Sequence, residues 1–271
     1  MKRILPGIGL LLLVLPACTR AEPGATLAFG DENKPEVRTT TAALLAGIPA
    51  EEIRGYDPYY KREKRFRALP LRRVLEMGFP GRADLADQEF IFRAADGYAA
   101  YMRGARAMDD GAYLAVADLD NPGWEPIGPQ RANPGPFYIV WKKPEQTDLE
   151  TYPRPWQLAA IERTRFDVAY PHTKPSGDEP SALLGYALYR ERCFKCHAVN
   201  REGGRVGPEL NVPQNVLEYR PEAQVRAYIR NPATFRYGNM PPHPDLSETQ
   251  MDQLIGYLRA MATRKYDPPA K

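Results

Sequence analysis

Apolar and polar positions divide the chain into two stretches with different periods. Before residue 170 the apolar runs are short, rich in β-branched and aromatic residues, and bounded by Gly, Pro, Asp or Asn. Glu89–Arg93, Tyr113–Ala117 and Phe137–Trp141 therefore read as strands. Trp156 to Val168 alternates towards its end, with Thr164, Phe166 and Val168 on one face, and reads as a closing strand. Leu71, Val74 and Leu75 recur at helical spacing ahead of Gly78, so Pro70–Met77 is expected to be a short helix. Thr41 to Ile53 holds another helical candidate, broken by Gly47 and Pro49, and Tyr56 to Tyr60 is turn-like. Asn121 to Pro136 repeats Pro and Gly, which predicts a long irregular loop. This first stretch reads as mixed α+β.

After residue 180 the period becomes helical. Ser181 to Arg192 carries Leu184, Leu188 and Tyr189 with Gly185 between them. Pro221 and Asn231-Pro232 bracket a middle helix. Ser247 and Gln250 form a capping box that opens a last helix with Met251, Leu254, Ile255 and Leu258 on one face. Pro171 to Pro180 contains three prolines together with Ser176, Gly177 and Asp178, and reads as a linker. The expected organisation is a mixed α+β domain at 36–170, a linker at 171–180 and an all-α domain at 181–271.

The first residues read as an export signal at 1–17: Lys2 and Arg3, then an apolar run from Ile4 to Ala17. Leu15-Pro16-Ala17-Cys18 resembles a bacterial lipoprotein box, whose cysteine carries a lipid. This implies lipid attachment at Cys18, a tether at 18–35, and a place on the periplasmic face of a bacterial membrane. A plain secretory signal, giving a soluble periplasmic protein, is the alternative.

Length and composition are ordinary for a globular protein, with 43% hydrophobic and 26% charged residues among 271. Residues 181–271 hold 13 Lys and Arg against 9 Asp and Glu, and 19–180 hold 22 against 25. Neither balance is the one-sided excess of a nucleic-acid binder. The basic run Lys61, Arg62, Lys64, Arg65 and Arg67, continued by Arg72 and Arg73, is a candidate docking face for an acidic partner.

The chemistry concentrates at Cys193-Phe194-Lys195-Cys196-His197. Cys-x-x-Cys-His is the pattern for covalent attachment of c-type haem: two thiols on one turn reach the vinyl groups, and the imidazole binds the iron. A zinc site would need further Cys or His at matching spacing, and a thioredoxin-type dithiol a βαβ context. The chain contains three cysteines in all, so neither is supported. A second iron ligand is sought among Met240, His243, Met251 and Met261. Met251 and Met261 fall on the last helix, where methionine fills cores. Met240 lies on a loop stiffened by Pro241 and Pro242, and is favoured over His243.

From Ser181 onward the sequence resembles a class I cytochrome c. The resemblance implies haem c, one copy, with Met240 of the Met-Pro motif on the iron. It also implies that the Pro208 carbonyl of Gly207-Pro208-Glu209-Leu210 accepts the other N–H of His197. Gly185 and Tyr257 match the residues at which the family's first and last helices cross. In the first stretch, residues 69–78, 92–98 and 135–141 resemble the molybdopterin-binding domain of sulfite-oxidase-like proteins. That family binds molybdenum through a cysteine, and none lies between 19 and 192, so no molybdenum cofactor is expected.

The expected function is a membrane-anchored electron carrier between redox protein partners. The alternatives are an oxidoreductase subunit whose first domain binds a pterin or substrate, and a haem-based sensor. Docking around the haem edge would involve Lys195, Arg201 and Arg205, whereas Arg236 and Tyr237 are candidates for a haem propionate.

Overall fold

The computed structural model describes residues 24–31, 36–177 and 179–267, with a β-rich first part and a helical second part. The export signal and Cys18 lie outside the described residues. In chain order the first part comprises β1 (Thr26–Asp31), β2 (Val37–Thr40), α1 (Thr41–Gly47), β3 (Glu51–Asp57), β4 (Arg62–Pro70), α2 (Leu71–Gly78) and β5 (Glu89–Ala94). It continues through β6 (Ala99–Arg103), α3 (Gly104–Ala107), β7 (Ala112–Asp118), β8 (Tyr138–Trp141), β9 (Leu158–Arg163) and α4 (Phe166–Ala169).

These strands form two sheets. One has the order β2-β1-β9-β5-β6, with β1 and β9 parallel and the other pairs antiparallel. The other, β3-β4-β7-β8, is antiparallel throughout. Alternation along β7 and β8 sends side chains to two cores. Leu114, Val116, Ile139 and Trp141 join Leu27, Phe29, Leu75, Phe90 and Phe92 on one face. Tyr113, Tyr138 and Val140 join Ile53, Phe66 and the half-buried Tyr59, Trp124 and Trp156 on the other.

Several expectations are corrected here. Residues 26–31 are no tether: Leu27, Ala28 and Phe29 are buried, and β1 lies inside its sheet because its apolar side chains fill the first core. The closing strand ends at Arg163, and Phe166 enters a short helix instead of continuing the alternation. The basic run is strand β4, in which Lys64 faces inward with Phe66 and Ala68.

The second part contains α5 (Pro180–Leu188), a π-helical turn at Tyr189–Cys193, a two-stranded ribbon of β10 (Ala198–Val199) and β11 (Glu202–Gly203), then α6 (Val216–Tyr219), α7 (Glu222–Arg230) and α8 (Glu248–Ala262). Glu179 caps α5 and the Ser247–Gln250 capping box opens α8. The two parts share one apolar cluster, in which Ile91, Ala99, Phe166 and Tyr170 meet Tyr186, Tyr189 and Phe194. The stretch between them is held at buried Thr173, whose carbonyl accepts from the Tyr257 hydroxyl at 2.8 Å.

Candidate haem site

The site begins where α5 gives way to the π-helical turn. The amide of Phe194 donates to the Tyr189 carbonyl at 2.8 Å, and two residues further the pitch tightens. Both Cys196 and His197 then donate to the Cys193 carbonyl, at 3.1 and 2.9 Å. Two thiols and one imidazole are thereby carried on a single closed turn. The π-helical insertion lets the chain change pitch there, a feature common at functional sites.

His197 is held from the other side. Its Nδ1 lies 2.8 Å from the Pro208 carbonyl oxygen. A carbonyl only accepts, so Nδ1 carries the hydrogen and Nε2 keeps its lone pair. Burial lowers the imidazole below its usual value, so the ring is neutral near pH 7. Gly207 permits this approach: a Cβ there would come within 2.3 Å of His197 Cε1. A neutral imidazole fixed through Nδ1 and free at Nε2 is the form that binds a metal.

The thiols are neutral too. Burial pushes Cys193 up to about 12, with Glu150 adding to the effect. Burial likewise raises Cys196 to about 11, opposed by Lys195 and assisted by Asp96 and Glu150. Cys193 and the half-buried Leu210, Val216, Leu217 and Ile229 all pack against the same apolar cluster. Two thiols, a directed imidazole and an apolar surround fit a covalently held haem.

Met240 is half-buried on the segment that follows α7. That segment is pinned at three points. The His243 amide donates to the Ile229 carbonyl at 3.1 Å, the Leu246 carbonyl accepts from Arg230 at 2.9 Å, and Asp245 pairs with Arg192 at 2.7 Å. His243 is itself buried, at 7% exposure, and lies in electrostatic reach of His197. Burial first, and then Arg192, keep its imidazole below the usual value. The structure thus gathers Cys193, Cys196, His197 and Pro208, and places both Met240 and His243 on one anchored segment.

The expected docking cations are largely engaged. Lys64 is fully buried on both oxygens of Asp118, at 2.7 and 2.9 Å, and on Glu125. Arg62 pairs with Glu125, and Arg65 with Asp120 and Glu52. Around the cysteines, Lys195 pairs with Glu150 and Arg201 with Asp267. Arg236 donates to the Tyr228 hydroxyl at 2.8 Å. His172 stacks on Tyr266 with centroids 3.6 Å apart, and its ring faces Glu202.

Residues of the first part of the chain also reach the site. Tyr59, Tyr98, Asp96 and Glu150 all lie in electrostatic reach of Cys196. The one available signal was Asp96-Gly97, a hairpin turn that places the start of β6 beside the cysteines.

The chain is 35% identical over 117 residues to cytochrome c oxidase subunit 2 of Alkalihalophilus pseudofirmus, a match covering 39% of this chain and 34% of the relative. It therefore spans about a third of that protein's length. Residues 180–258 match the family described as cytochrome c oxidase, cbb3-type, subunit III. Together with the geometry, this makes the second part of the chain a c-type cytochrome domain, which implies haem c.

Proposed function

We propose that this protein is a monohaem electron carrier, exported and held at the periplasmic face of a membrane through a lipid on Cys18. The observation that carries the reading is the His197 imidazole, neutral, donating from Nδ1 to Pro208 and free at Nε2, on the same turn as Cys193 and Cys196. Cys193 and Cys196 would hold the haem covalently, and His197 and Met240 would bind its iron. Bound there, haem supplies reversible one-electron chemistry, and two protein ligands leave no iron position for a substrate. Pro208 keeps the His197 ring from rotating and strengthens it as a donor.

Both comparisons name cytochrome c oxidase subunits, which supports an oxidase-linked route as the partner class. For the first domain we retain a sulfite-oxidase-like fold as a proposal of architecture, with no metal chemistry, since residues 19–192 contain no cysteine. The test is haem linkage. Wild type is expected to keep its haem through acid extraction and to show two thioethers. Cys193→Ala or Cys196→Ala should leave one, and doubly linked haem in either variant would refute the assignment.

A further inference from the structure

The first domain closes on the attachment turn by backbone, ring and charge. The amide of Ala99, at the start of β6, donates to the Lys195 carbonyl at 2.9 Å, and the amide of Arg205 donates to Gly97 at 2.8 Å. Phe194 packs its ring against Phe166 and Tyr170, with centroids 4.8 and 4.6 Å apart. Lys195 reaches across to the Glu150 carboxylate and the Leu149 carbonyl, and only 13% of its side chain is exposed. Asp96 is fixed beside them, accepting from Trp156 Nε1 at 3.0 Å and the Tyr98 amide at 2.9 Å.

We propose that the first domain is a resident wall of the haem site and sets the haem's reduction potential through the Glu150–Lys195 pair, with Asp96 adding a second carboxylate. This rests on haem being held by Cys193, Cys196 and His197. Reduction adds one electron to the iron centre and changes no bond, so a nearby negative charge opposes it and a positive charge favours it. Glu150 and Lys195 are mostly buried, at 21% and 13% side-chain exposure, so salt screens them poorly. With an effective dielectric of about 20, a unit charge roughly 12 Å from the iron would shift a one-electron equilibrium by on the order of tenfold. The two members of the pair act in opposite directions, and packing alone has no reason to do so.

The experiment is a redox titration of the full-length haem protein, followed by absorbance, for wild type, Glu150→Gln, Lys195→Gln and the double variant. Glu150→Gln should raise the reduced-to-oxidised ratio at fixed potential by on the order of tenfold, equivalent to about 59 mV for one electron. Lys195→Gln should lower it by a similar factor, the double variant should return close to wild type, and Asp96→Asn should raise it. A wall that merely packs would loosen in every variant and shift all of them the same way. Single variants that move together, or do not move, overturn the proposal while leaving the haem assignment standing. Wild type without covalent haem overturns both.

Discussion

Gly185 of α5 lies directly against Gln253 of α8: a Cβ on Gly185 would sit 1.9 Å from the Gln253 carbonyl oxygen and 2.8 Å from Tyr257 Cβ. The obstacle is backbone, which cannot swing aside. Gly185→Ala should therefore force the helices apart and destabilise the protein by about 1–3 kcal/mol, the usual cost of overpacking. Denaturant unfolding of the variant checks this, and an unchanged midpoint would show that the crossing relaxes freely.

Met240→Ala should abolish the weak far-red sulfur-to-iron band of the oxidised protein and lower its reduction potential, because methionine opposite histidine raises it. His243, buried on the same segment, is the rival ligand. An unchanged band and potential in Met240→Ala, with loss of low-spin character in His243→Ala, would transfer the position to His243.

With Met240 on the iron, His243 titrates, and its folded pKa lies below the unfolded value of about 6.5. The unfolded chain then takes up the proton first, so stability falls as pH drops through about 6.5 and levels off below the lowered folded value. His243→Gln should flatten that part of the stability–pH curve. Urea titrations between pH 7.5 and 5 measure it, and an identical slope in the variant would remove His243 as the cause.

Lys64→Ala should cost about 3–5 kcal/mol, since it leaves the buried carboxylate of Asp118 without its cation. Lys61→Ala, on the exposed turn before β4, should cost almost nothing. The contrast, read by thermal unfolding, separates a structural lysine from a docking one. Equal effects would contradict the burial of Lys64.

The attachment pentapeptide and the capping box at Ser247 were legible because each depends on neighbours a few residues away, whereas Gly185, whose partners lie on α8, was marked through the family resemblance. Strands β5, β7 and β8 were legible for the same reason, through their dense β-branched and aromatic composition. What escaped depends on distant partners. Ala99–Arg103 is poor in β-formers and becomes a strand by pairing with β5. Lys64 looks like one member of a charged surface run, and only Asp118 across the sheet shows that it points inward. Phe166 and Val168 share strand spacing with Thr164, but the chain turns after Arg163 so that Phe166 can pack on Phe194. Glu150 stands far from the cysteines in sequence, and no local pattern links it to Cys196.

The ring of Phe194 rivets the attachment turn to the first part of the chain. It sits between the two cysteines at 1% exposure, in a socket made by Phe166, Tyr170 and Tyr189. The turn that carries the two thiols therefore cannot shift against α4 without emptying that socket.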